Sequence, residues 1–275
     1  MRRALVVILS LLVLAGCAPA SAGLPDGVEV SVLQNRSDYA SRTLEISIFN
    51  GEDAPLTLTR ATFTSPRFAA PAEWSRGTEL RAGATVNLRV TLPASVCAPQ
   101  HDADPRVTVE FAIGSMRGTA SVTPVDPLDR LATIAREDCL GQAVDDVAPI
   151  VAAPTLEWSR GAHEPASLDL VSSPTGAEGE LEIVAVDRTV LLSVVDDAGE
   201  PIESVAVGVR VTSPTTVTLR FVPSRCDPHA VAEDKRGTFF PVRVRVAEIE
   251  GLVYVPVSDE VRVAIYRWIA DYCDY

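Results

Sequence analysis

Arg42-Thr43-Leu44-Glu45-Ile46-Ser47-Ile48-Phe49-Asn50, with Gly51 completing an Asn-Gly turn pair, alternates apolar and polar side chains. A period of two puts the apolar set on one face of an extended chain, so the segment reads as a half-buried antiparallel strand. The same alternation returns in Val28 to Val32, Val86 to Leu92, Val107 to Ile113, Val205 to Val211, Val217 to Phe221 and Val242 to Val246. Turn signals at Asp197 to Pro201 and at Glu250-Gly251 follow at short intervals, which favours hairpins over crossover helices. The expected fold is mainly β, of immunoglobulin-like β-sandwich type.

A second copy of the opening segment can be laid on Arg188-Thr189-Val190-Leu191-Leu192-Ser193-Val194-Val195-Asp196, with Pro55-Leu56 then falling on Pro201-Ile202. Further along, Val86-Asn87-Leu88-Arg89-Val90, running to Cys97, matches Val217-Thr218-Leu219-Arg220-Phe221, running to Cys226, and Pro99 and Pro228 each stand two residues past the cysteine. Between Pro55 and Cys97 the first copy is the longer, and the excess around Ser65 to Ala84 reads as an extra loop or edge strand. The expectation is an internal duplication of one sandwich. Residues 28–141 form the first domain, 142–154 a linker whose Pro149 and Pro154 resist helix, and 155–275 the second domain. Glu73-Trp74-Ser75-Arg76-Gly77 also recurs as Glu157-Trp158-Ser159-Arg160-Gly161, out of the repeat register.

Each copy is expected to close with a short helix. Asp126 is the candidate cap of the first, with Pro127 at its first position and Leu128, Leu131, Ala135 and Cys139 along one face. Ser258 is the candidate cap of the second, with Val261, Ile265, Ile269 and Cys273 at spacings of four; its β-branched residues keep a strand in play there. One cysteine pair per copy then implies the bridges Cys97 to Cys139 and Cys226 to Cys273, at separations of 42 and 47 residues. Loops of that size give about 4 kcal/mol per bridge in the chain-entropy model.

The N-terminus says where such bridges can persist. Arg2 and Arg3 precede the apolar run Ala4 to Leu14, and small residues lead to Cys17. Eleven apolar residues reach about 16 Å as a helix, well short of a hydrocarbon core of about 30 Å, so residues 1–16 read as a secretion signal. Leu14-Ala15-Gly16-Cys17 is similar to the lipobox of bacterial lipoproteins. That resemblance implies cleavage before Cys17, a lipid anchor on its thiol and residence at the extracytoplasmic face of a cell membrane. Residues 17–27 are then a membrane-proximal tether; Ala18 to Gly27 reach at most about 35 Å, so the first domain sits near the head groups and the second is freer to meet partners.

Charge and residue types narrow the function. The 275 residues carry 37 acidic and 24 basic side chains, a formal charge of −13 that deepens when Arg2 and Arg3 leave with the signal. A broad nucleic-acid surface is excluded by that balance. There is no Gly-x-Ser-x-Gly, His-Glu-x-x-His, Cys-x-x-Cys or phosphate-binding glycine loop, so no enzyme is expected and no cofactor. The paired acids Asp145-Asp146 and Asp196-Asp197 fall in the linker and a turn. Trp74 and Trp158, flanked by charged and small residues, are candidate platforms for an envelope protein or a glycan, whereas Trp268 reads as core. The expected function is a lipid-anchored, non-catalytic binding module of the cell envelope. The alternative is a metal carrier using the loops from Cys97 to His101 and from Cys226 to His229, which each hold cysteine, proline and histidine.

Overall fold

The structure is a computed structural model that describes residues 23–39, 41–97, 104–161, 163–234 and 236–275. Two β-sandwiches follow one another along the chain. The first runs through β1 (Val28–Leu33), β2 (Thr43–Asn50), β3 (Leu56–Thr64), β4 (Ala72–Trp74), β5 (Thr78–Leu80), β6 (Thr85–Thr91), β7 (Arg106–Ile113) and β8 (Met116–Val122), then helix α1 (Arg130–Val147). Its sheets are β1-β2-β6 and β4-β3-β7-β8, with β5 also on β3. Apolar side chains of both sheets interleave in one core around Leu44, Ile46, Ile48, Leu58, Phe63 and Val109.

The second runs through β9 (Ile150–Ala152), β10 (Ala166–Ser172), β11 (Leu181–Asp187), β12 (Leu192–Val195), β13 (Pro201–Ile202), β14 (Ser204–Arg210) and β15 (Thr215–Pro223). After the short helix α2 (Pro228–Ala232) come β16 (Phe239–Val246), β17 (Ile249–Pro256) and helix α3 (Asp259–Tyr272). The sheets are β13-β12-β15-β10-β9 and β14-β11-β16-β17. Trp268 of α3, 1% exposed, stands edge-on to Phe221 with ring centroids 5.5 Å apart, in a core shared with Phe240.

The two halves follow one pairing scheme. β1-β2-β6 corresponds to β9-β10-β15, and β3-β7-β8 to β11-β16-β17. Both β3 and β11 break register one residue past an inward apolar pair, between Leu58 and Arg60 and between Ile183 and Ala185. Both following hairpins close on two residues, with Ile113 opposite Met116 and Val246 opposite Ile249.

This scheme corrects the repeat register read from sequence. Ile46 opposes Leu88 and Leu168 opposes Leu219, so the counterpart of β2 is β10. The 188–196 segment instead contributes β12, which flanks the other side of β15 and has no equivalent among the described residues of the first half. Period-two alternation carries no register of its own, which is why one apolar strand of this sheet could be mistaken for another. β2 is also buried on both faces: Glu45 and Ser47, on its polar side, are covered, and Arg89 reaches across to Glu45 at 2.8 Å and Asp38 at 2.5 Å. Glu250-Gly251 is no turn, for it lies inside β17 and the turn is Ala247-Glu248.

The first closing helix starts later than expected, and the second settles the choice between helix and strand. Asp126 is not the N-cap of α1: that position is Asp129, at φ 49° and with no side-chain cap, so Pro127 and the 67% exposed Leu128 stand before the helix, while the Asp126 carboxylate reaches in to accept from the backbone N–H groups of Arg130 and Leu131 at 2.9 Å. In the second half Ser258 Oγ accepts from Val261 N at 3.3 Å, and helix prevails over strand because Val261, Ile265, Trp268 and Ile269 bury a common face. The bridges Cys97–Cys139 and Cys226–Cys273 are present, with Cα atoms 5.3 and 5.4 Å apart.

The segment 142–154 holds more structure than a linker. α1 continues to Val147 before Pro149 stops it, and β9 then pairs with β10. Leu131 and Ile134 of α1 sit in the first core; Leu140, Val144 and Val147 sit in the second. One helix is therefore shared by both sandwiches. Gly251 of β17 makes room for it, since a Cβ there would stand 2.7 Å from Leu140 Cδ2.

Candidate functional site

The shared helix fixes the joint, and two clefts open beside it. α1 is tied to the first sandwich by Arg42, which donates to both oxygens of Asp138 at 2.6 and 2.8 Å and to the Pro93 carbonyl at 2.7 Å. Ser95 Oγ donates to the same carboxylate at 2.5 Å. The cleft on this side, about 770 Å³, is walled by Arg42, Glu137, Asp138 and Asp145 against Leu252 and Tyr254 of β17. It is acidic in balance, and its Arg42–Asp138 pair is already satisfied.

The other cleft, about 830 Å³, has the opposite character. Arg36 and Tyr39 enter from the first sandwich, and Arg188, Arg225, Arg236 and Tyr254 from the second. Four guanidinium groups face two carboxylates, Glu233 and Asp234, in a chain that is acidic overall.

Arg236 is the half-buried centre of this cluster. Its guanidinium lies 4.1 Å from the Tyr254 ring centroid, 4.8 Å from that of Tyr39 and 5.8 Å from that of Phe239. Aromatic contact of this kind covers the face of the cation while leaving its in-plane N–H donors free. Among the described residues, no carboxylate pairs with Arg236, Arg36 or Arg225, whereas Arg188 is held by Glu203 at 2.5 Å.

The loop that presents Arg236 is locked from below. Asp234 Oδ1 accepts from the backbone N–H groups of Arg236 at 3.1 Å and Gly237 at 2.6 Å, and its Oδ2 accepts from Tyr266 OH at 2.9 Å. Burial, reinforced by the Asp234 carboxylate, pushes the Tyr266 phenol up to about 12. Thr189 Oγ1 donates to the Gly237 carbonyl at 2.7 Å. Gly237 is required there, because a Cβ would fall within 2.8 Å of the Leu191 side chain and the Asp234 carboxylate. Rigid presentation of this kind spares a bound ligand the entropy of ordering its contacts.

Sequence-derived candidates lie elsewhere. Cys17 and the rest of the lipobox, and His101 with Pro99, fall outside the described residues. Cys97 and Cys226 are consumed by bridges, so neither offers a thiolate to the metal-carrier alternative while those bridges are closed. His229 is exposed on α2, and His163, also exposed, sets Nδ1 2.9 Å from the Tyr272 carbonyl. Among the described residues no group of three or more His, Cys, Asp or Glu is arranged to hold a metal ion. Trp74 and Trp158 are each half-buried against their own core and line neither cleft. Their two pentapeptides share a local shape, a short edge pairing that ends on a left-handed glycine, Gly77 at φ 73° and Gly161 at φ 68°.

The cleft residues themselves went unread, because they meet only through the joint. Arg36, Arg188, Arg225 and Arg236 are scattered over 200 residues of chain, and a basic cluster of that kind leaves no local signature.

No family model matches the chain, and no curated protein does either. Solved structures are similar only in outline. A chaperone–tip adhesion subunit pre-assembly complex from the archaic Csu pili of Acinetobacter baumannii matches at 9% identity over 79% of this chain and 93% of that one, with a TM-score of 0.22. The B domain of a biofilm-associated protein matches at 7% identity over 84% and 83%, with a TM-score of 0.24. A protein of unknown function from Porphyromonas gingivalis W83 matches at 15% identity over 83% and 96%, with a TM-score of 0.21. Likeness at this level assigns no role to any residue here.

Proposed function

We propose that the protein is an exported, lipid-anchored binding module of the bacterial cell envelope, non-catalytic, built from two copies of one disulfide-closed sandwich. The single observation that carries the binding role is the cationic cleft at the joint, where both sandwiches contribute side chains and the presenting loop is clamped in place. Concave, preorganised sites between domains are the usual seat of ligand recognition. Two bridges within the described residues fit an oxidising compartment, and no described helix is long and apolar enough to cross a membrane. Attachment to the membrane then falls to Cys17. The shared bulge and hairpin register support common descent of the halves. Trp74 and Trp158 would offer secondary contacts to a protein or glycan partner.

Two experiments test this reading. Cys17→Ser should move the protein from membrane to soluble fractions; unchanged membrane association removes the anchor. Affinity capture from envelope extracts with the lipidated chain should recover a specific partner that a charge-matched control does not, and recovery of nothing above control counts against an interaction module.

A further inference from the structure

We propose that the arginine cleft is a site for a phosphate group, free or carried on a lipid head, with Arg236 as its principal contact and Arg36 and Arg225 closing around it. This deepens the binding-module reading and rests on it. The charge distribution points the same way. The chain is strongly acidic, yet here three guanidinium groups without a carboxylate partner converge from separate segments of both sandwiches.

A half-buried cation that lacks a counter-ion is costly unless a ligand supplies one. The two nearby acids do not meet the need. Asp234 already accepts from two backbone N–H groups and the Tyr266 hydroxyl, and Glu233 stands exposed at the end of α2. The stacked rings of Tyr39 and Tyr254 shield the flat faces of Arg236 and leave the edge for an oxyanion, the geometry in which an arginine fork binds most strongly. A phosphate dianion fits better than a lone carboxylate because its oxygens can be shared among three guanidinium groups. The cleft volume of about 830 Å³ leaves space for more than the anion itself.

The test uses the full exported chain carrying Cys17→Ser, so that an anchor does not hold it to membranes. Inorganic pyrophosphate is titrated by calorimetry, and vesicles of phosphatidylglycerol, with phosphatidylcholine as reference, are tested by co-sedimentation. Binding of at least one probe is expected, weakened about tenfold or more in Arg236→Gln, as befits loss of a charge-assisted contact. Arg225→Gln removes an exposed side chain with little risk to folding and should weaken binding severalfold. Arg117→Gln, on β8 away from the cleft, should leave it unchanged. Pyrophosphate binding identifies a free phosphate ligand; vesicle binding alone identifies a lipid head group.

The proposal is overturned if neither pyrophosphate nor the phosphatidylglycerol vesicles bind, or if Arg236→Gln and Arg225→Gln bind as the parent does. It is equally overturned if Arg117→Gln weakens binding as much as they do. A negative titration alongside a partner captured from the envelope removes the ligand class and leaves the binding module standing; phosphate binding with no captured partner does the reverse.

Discussion

Asn50 is a polar side chain that the fold encloses completely, and it survives there because every hydrogen-bonding group is used. Its Nδ2 donates to the carbonyls of Ala54 and Leu80 at 3.0 and 3.1 Å, while its Oδ1 accepts from Glu52 N at 3.2 Å. The Asn-Gly pair was legible as a turn, but the turn carries the chain from one sheet to the other, a role no dipeptide reveals. Tyr266 is a half-buried polar side chain whose hydroxyl is likewise matched, by the Asp234 carboxylate. Folding holds its phenol protonated, so the stability it contributes is complete below the ordinary tyrosine value near 10 and is lost as pH climbs toward about 12. Urea titrations should therefore show the stability advantage of the parent over Tyr266→Phe as constant below about pH 9 and shrinking above about pH 10; an advantage that stays flat to pH 11 would sink the assignment. The Ser258 cap was easy to read, since it acts through a local backbone N–H group, whereas the Asp126 carboxylate reaches α1 from outside the helix.

At the level of elements, strands were legible and their partners were not. Alternation located β1, β2, β6, β7, β14, β15 and β16, yet the counterpart of β2 had to be found from pairing. The helix was legible at its start and lost at its end. Leu140, Val144 and Val147 continue at spacings of four and three, but they turn toward a different core from Leu131 and Ile134. A stripe split between two partners reads as no stripe at all. Gly251 is the consequence of that arrangement on the strand side. Gly251→Val should cost about 1–3 kcal/mol in chemical denaturation, because its branched side chain must displace Leu140 or the helix carrying it. An unchanged midpoint would mean that α1 and β17 are not in close contact.

The whole molecule is two sandwiches with one bridge apiece and one helix in common. Cysteine spacing within a repeat was enough to choose among three pairings. The clefts were beyond reach of sequence because they exist only where the halves meet. That each half is closed by its own crosslink outside the cytosol is the premise of everything argued about compartment, stability and site. Peptide mapping of the native exported protein under non-reducing conditions tests it most directly. The expected result is two linked peptide pairs, Cys97 with Cys139 and Cys226 with Cys273. A link joining the first half to the second, or free thiols at these four positions, would contradict it.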